Sequence, residues 1–210
     1  MAEAYEKSAE VYIAKGEINK AEQLLEKCLS IPERIIELNR KSPKEDPGVE
    51  KLTATKNLML YIAKAEKLIE SPDKGTMKTL RDLVFSALFG VDLDEDGRAD
   101  IWYFSGEGDV KINPGEGIRI KPAGQSQVTL LLTETINLKE NEYYSIELEA
   151  DILKGQYRIE VIADNKVVFS SNSNLFEFTA PEVDGGKEAR IRVIVFPESD
   201  IVLKRILLYQ

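Results

Sequence analysis

The sequence predicts an α+β multidomain chain: a helical-hairpin domain followed by an antiparallel β-sandwich of jelly-roll type. Three observations carry that expectation. Residues 1–90 place apolar side chains at helical spacing. Residues 101–210 alternate apolar and polar side chains with a period of two. Between them, residues 91–100 gather carboxylates around a glycine. The length of 210 residues accommodates two domains of about 100 residues each.

The helical elements follow in order. Glu3 to Ala14 carries Tyr5, Ala9, Tyr12 and Ile13 on one stripe, and Gly16 ends it. Asn19 suits the N-cap of a second helix, whose stripe is Ala21, Leu24, Leu25, Cys28 and Leu29. Pro32 closes that helix or opens the next turn. Residues 33–40 form a short third segment with Ile35, Ile36 and Leu38. Lys41-Ser42-Pro43-Lys44-Glu45-Asp46-Pro47-Gly48 is a loop rich in breakers. A longer helix runs from Val49 to Glu70 through Leu52, Leu58, Leu60, Tyr61, Ala65 and Leu68. Ser71-Pro72-Asp73 restarts the chain into a last helix that ends at Phe89-Gly90, where the glycine suits a C-cap.

Within the first hairpin, Tyr5, Ala9, Tyr12, Gly16, Ala21, Leu25, Cys28 and Pro32 fall close to the large, small and turn positions of a tetratricopeptide repeat, which the hairpin resembles. The small Ala9 and Ala21 let two helices approach, and Gly16 makes the turn. The resemblance implies a groove for a peptide or a protein partner. A helical bundle that only packs on the second domain is the competing reading.

Asp92, Asp94, Asp96, Gly97 and Asp100 resemble the D-x-D-x-D-G-x-x-D loop of EF-hand-like and dockerin-like proteins. Calcium takes six to eight hard oxygen ligands, which alternating carboxylates on a tightly turned backbone can supply. The expected ligands are Asp92, Asp94, Asp96, the carbonyl of Arg98, and Asp100. Tyr103 stands where an EF-hand has its bidentate glutamate, and strand-forming Ile101-Trp102-Tyr103-Phe104 replaces the exit helix. The loop therefore reads as a structural site at the joint between the domains. Carboxylates collected in one loop are ligands more simply than a catalytic acid pair, which must face across a cleft.

Strands are expected at 101–105, 117–121, 127–136, 143–150, 157–163, 166–170, 175–179, 190–195 and 201–209, with turns at Lys154-Gly155, Asp164-Asn165 and Asp184-Gly185-Gly186. Gly117-Ile118-Arg119-Ile120, Leu130 to Leu138, Asn141 to Leu148, Phe176-Glu177-Phe178-Thr179-Ala180 and Ile201 to Tyr209 resemble the jelly-roll carbohydrate-binding modules. That resemblance implies sugar rings stacked on exposed aromatics, with polar side chains on the hydroxyls. The candidate ligand-binding residues are Tyr143, Glu147, Arg158, Arg190, Arg192 and Trp102. Trp102 has a competing place in the core beside the acidic loop, Tyr157 reads as core, and the Glu and Arg rows also suit cross-strand pairs.

Composition narrows the functions. A net charge of -9 argues against nucleic acid or anionic lipid as the main partner. The absence of histidine excludes histidine-based acid–base chemistry and histidine metal sites. A single cysteine, Cys28, excludes an intrachain disulfide and a cysteine zinc site. No apolar run is long enough to span a membrane, and the N-terminus is unlike a signal peptide. The expectation is a non-catalytic, extracytoplasmic binding or assembly module with a structural Ca2+ site, cut from a larger protein, whose sandwich binds a carbohydrate; a cytosolic protein is the competing reading of its location. The alternative is a protein-interaction scaffold using the helical half, with the sandwich as spacer. The order of parts is similar to soluble C-terminal regions of bacterial membrane proteins that handle surface glycans.

Overall fold

The computed structural model describes residues 1–31, 49–92, 99–113, 116–181 and 188–210. The chain divides into two compact units, Met1–Ser86 and Ala87–Gln210. The first holds four described helices: α1 (Ala2–Ala14), α2 (Ile18–Leu29), α3 (Val49–Glu70) and α4 (Lys74–Arg81). Ala9 and Ala21 have no exposed surface, so α1 and α2 lie close, with Leu25, Cys28, Ala65 and Leu68 filling the space around them. Gly16, at φ +77, makes the turn between α1 and α2. Glu17 occupies the N-cap position of α2, two residues before the expected Asn19. Asp73 caps α4 by accepting from the Thr76 amide at 2.8 Å. The expected segment 33–40 and the breaker loop lie outside the described residues.

Burial pushes the Cys28 thiol up to about 11, which makes it an apolar filler and not a nucleophile.

The last helix is shorter than the spacing predicts. It stops at Arg81, and β1 (Leu83–Leu88) follows. Leu83 and Phe85 are buried while Val84 between them is exposed, which is strand alternation. The branched and aromatic side chains of Leu83-Val84-Phe85 also suit a pleated surface better than a helix.

The strands after β1 are β2 (Trp102–Ser105), β3 (Gly108–Asn113), β4 (Gly117–Pro122), β5 (Val128–Leu132), β6 (Ile136–Asn137), β7 (Tyr143–Lys154), β8 (Tyr157–Ala163), β9 (Lys166–Ser171), β10 (Leu175–Thr179), β11 (Glu188–Val195) and β12 (Asp200–Tyr209). They form a sandwich of two antiparallel sheets. One sheet runs β10-β7-β12-β4-β3, with β1 also on β12. The other runs β2-β5-β11-β8-β9, with β6 also on β11. Ile146, Leu148, Ile118, Ile120 and Leu203 from the first sheet, and Leu130, Ile159 and Val193 from the second, are buried in the interior. Phe169 on β9 stacks on Phe176 and Phe178 of β10, which closes the side where the two edge strands meet. At the opposite edge of the first sheet, β3 is almost wholly exposed and carries the ion pair Lys111–Asp109. Charge on an unpaired edge discourages another strand from adding to it. Asp164 and Asn165, both at positive φ, form the β8–β9 turn, and Gly155 makes the β7–β8 turn.

Two observations give testable expectations. Gly117 sits at φ +110, and a Cβ there would lie 2.1 Å from the Leu203 carbonyl oxygen. Gly117→Ala is expected to lower stability by about 2 kcal/mol or more, read by chemical denaturation. In the helical unit, Glu6 is only 2% exposed. Desolvation, and then the neighbouring Glu10, push its carboxyl up from 4.5 to about 7, with Lys64 and Lys7 opposing. An acid that holds its proton more tightly when folded loses stability as pH rises from the unfolded value through the folded one. Melting temperature is therefore expected to fall from about pH 5 to about pH 8. Glu6→Gln is expected to remove that slope and to gain on the order of 1–3 kcal/mol at the upper end.

Candidate functional site

The outer face of the second sheet holds the densest set of candidate side chains. Its geometry begins with β2. Trp102 points inward at 3% exposure, stacks on Phe89 with centroids 4.3 Å apart, and donates its indole N–H to the Leu88 carbonyl at 3.2 Å. Successive strand residues face opposite ways, so Tyr103 must point outward, and it is 63% exposed. Antiparallel register then places Tyr103, Leu131, Arg192, Glu160 and Ser170 in one row across β2, β5, β11, β8 and β9. The adjacent row is Ser105, Thr129, Ile194 and Arg158. On the other side, Arg190 lies opposite Ile162, which lies opposite Val167.

Glu160 is the electrostatic centre of this face. It is an outward-facing carboxylate with only 4% exposure. Arg192 Nε donates to its Oε2 at 2.7 Å, and the Arg192 Nη2 also reaches that oxygen. Arg158 Nη1 lies 3.6 Å from Oε1. Two guanidinium groups therefore take up both oxygens of one carboxylate, and this compensates its loss of water. Arg158 also lies over the Phe196 ring, 5.1 Å from its centroid. The result is a pair of guanidiniums held in place on the sheet face that also carries Tyr103 and Leu131, with Arg158 over Phe196. These groups can bind a ligand, but they do not form a nucleophile–base pair, and Glu160 is committed to its arginines.

The sequence-derived candidates separate into three places. Arg158, Arg190 and Arg192 share this outer face. Tyr143 and Glu147 belong to the outer face of the first sheet instead. There Tyr143 is 54% exposed and hydrogen-bonds Glu177, while Glu147 accepts from the Tyr209 hydroxyl at 3.3 Å. Trp102 is inside the sandwich with its ring against Phe89, so it is a core side chain and not a sugar platform. Tyr157 is also buried. Tyr103, Glu160 and Phe196 were not among the candidates. The signal for Tyr103 was present: once Trp102 is assigned to the core, its neighbour on the strand faces solvent.

Of the expected calcium ligands, Asp94, Asp96 and Arg98 lie outside the described residues, while Asp92 and Asp100 lie within them. The Asp100 amide donates to the Val91 carbonyl at 3.0 Å, so the two ends of the acidic loop are drawn together. Ala99 and Ile101 on either side of Asp100 are buried, and the Ile101 carbonyl accepts from both the Thr133 amide and its hydroxyl at 3.0 Å. Among the described residues no group of three or more metal-ligating side chains gathers.

No family model matches the chain, and no curated protein matches it. Several solved structures are similar to it. One is BiXyn10A CBM1 in its apo form, with 13% identity and a TM-score of 0.43, covering 61% of this chain and 99% of that one. Another is CBM86, a low-affinity xylan-binding module from Roseburia intestinalis, with 16% identity and a TM-score of 0.38, covering 60% and 92%. A third is PliG, a periplasmic inhibitor of g-type lysozyme from Aeromonas hydrophila, with 7% identity and a TM-score of 0.29, covering 52% and 85%. At TM-scores under 0.5, these likenesses carry no argument about ligand or activity. Among the described residues no helix is long and apolar enough to cross a membrane.

The Glu160 clamp has a measurable consequence. Removing the shared carboxylate leaves two guanidiniums facing each other without a counter-charge. Glu160→Ala is expected to lower stability by about 1–3 kcal/mol, below the loss for a fully buried pair because both arginines are partly solvated. Thermal melts of the variant beside Arg190→Ala, which leaves the clamp intact, check this.

Proposed function

We propose that this chain is a non-catalytic binding module whose second sheet takes a carbohydrate on its outer face. The observation that supports this most is the cross-strand row joining Tyr103, Leu131, Arg192 and Glu160. Tyr103 offers an exposed ring face, the kind of surface on which pyranose rings stack. The Arg192 guanidinium originates two strands away, roughly 10 Å across the sheet at the usual strand spacing. That span suits a stacked sugar with its neighbour reaching the polar groups. The clamp on Glu160 pre-orients the donors, which reduces the ordering cost of binding.

The acidic loop is proposed to hold one Ca2+ through Asp92, Asp94, Asp96, the Arg98 carbonyl and Asp100. Loops of this kind with weak affinity suit millimolar calcium, which favours an extracytoplasmic setting. A second reading gives binding to the helical unit as a tetratricopeptide-like protein-interaction scaffold. It is favoured by the complete burial of Ala9 and Ala21 where α1 meets α2.

Affinity electrophoresis and titration calorimetry against soluble polysaccharides test the carbohydrate reading. Tyr103→Ala is expected to weaken retention about five- to thirtyfold, the loss of one ring contact of about 1–2 kcal/mol, while melting at the wild-type temperature. Equal retention by the variant would remove the sheet face from consideration. For the loop, calcium is expected to raise the melting temperature and EDTA to lower it, with Asp92→Asn insensitive to both. A melt indifferent to calcium and chelator would refute the metal assignment.

A further inference from the structure

The donor and acceptor balance of the same face carries the reading further, to the class of glycan. A neutral polysaccharide presents hydroxyls, which are recognised by acceptors and donors together. On this face the best acceptor is already used. Both oxygens of Glu160 face guanidiniums, from Arg192 at 2.7 Å and from Arg158 at 3.6 Å. What the face offers outward is the remaining N–H groups of those two arginines, the ring of Tyr103, and Arg190.

Arg190 is exposed and makes no hydrogen bond or ion pair with a described residue. It stands two residues before Arg192 on the same face of β11, roughly 7 Å away along the strand. Glu188 is the other carboxylate on that face of β11, two residues further back and opposite Asn137. The chain as a whole carries a net charge of -9, so a face with three arginines against two carboxylates runs against its general character. Arginine forks match planar carboxylates with two parallel hydrogen bonds, a geometry that lysine cannot reproduce.

We infer that the Tyr103–Arg192–Arg190 face binds an acidic polysaccharide through sugar carboxylates, with uronic acids as its ligand class. This rests on the carbohydrate reading above and adds the charge of the ligand. Tyr103 stacks one ring, and Arg190 and Arg192 receive the carboxylate of a neighbouring residue.

Matched tetrasaccharides test it by calorimetry on the full chain. The probes are tetragalacturonate, its methyl ester, tetramannuronate, a neutral cellotetraose, and a sulfated dextran fragment of similar size. Binding is expected for at least one uronate, with affinity about tenfold weaker when its carboxylates are esterified and falling with added salt. Arg190→Gln is expected to weaken uronate binding about tenfold without moving the melting temperature, because Arg190 lies outside the Glu160 clamp. Arg190→Lys is expected to recover only part of that loss. Equal affinity for acid and ester, or preference for cellotetraose, would overturn the uronate inference and leave the carbohydrate reading standing. Equal binding of the sulfated dextran would reduce the face to general polyanion capture and overturn it too. Binding of none of these probes would overturn both.

Discussion

Trp102 is the side chain on which the strand-rich unit turns. Its ring lies against Phe89 and its indole N–H is bonded to the Leu88 carbonyl, so the stretch after β1 and the start of β2 are tied together in the interior. Because a pleated strand faces alternate ways, that one burial fixes everything beside it. Tyr103 is sent to solvent, and Asp100 is held two residues before the anchor, where its amide donates to the Val91 carbonyl. The candidate sugar platform and the candidate cation loop are thus set by the same aromatic wedge.

The second sheet solves a different problem on its outer face. A carboxylate as sheltered as Glu160 would be costly if unpaired. Its two arginines remove that cost and are themselves fixed by doing so. Such an arrangement contributes modestly to stability, since the arginines are partly wet. On the proposed reading it presents rigid donors on the same sheet face as an exposed ring. The first sheet uses its charges otherwise. Arg119 forms a two-pronged bond to Asp200, joined by Lys121, and together they hold the Asp200 carboxyl down at about 2. Arg205, nearly buried, is forked onto Glu149. These pairs fasten β12 to β4 and to β7, and so belong to the architecture.

Much of this could be read in the sequence, for reasons that vary by element. β7, β8 and β11 alternate cleanly because one face is core and the other is wet, and the same alternation placed Arg158, Arg190 and Arg192 outward. β3 left no such trace: as an exposed edge strand, Gly108-Asp109-Val110-Lys111-Ile112-Asn113 has no buried stripe to reveal it. β1 was hidden differently. Leu83 and Ala87 are also four residues apart, so helical spacing fits them until Val84 is seen to be exposed. The site was half legible. Alternation says that Trp102 and Tyr103 face opposite ways, but not which of them faces the core. Cross-strand register, which brings Tyr103 into line with Arg192 and Glu160, depends on pairings between distant segments that no local pattern contains.

Backbone amide shift mapping during titration with an acidic tetrasaccharide examines the central claim most directly. The expected perturbations cluster at Tyr103, Leu131, Arg190, Arg192 and Glu160, the residues of one sheet face. Perturbations centred instead on Tyr143 and Glu177, or on the helices α1 and α2, would contradict it.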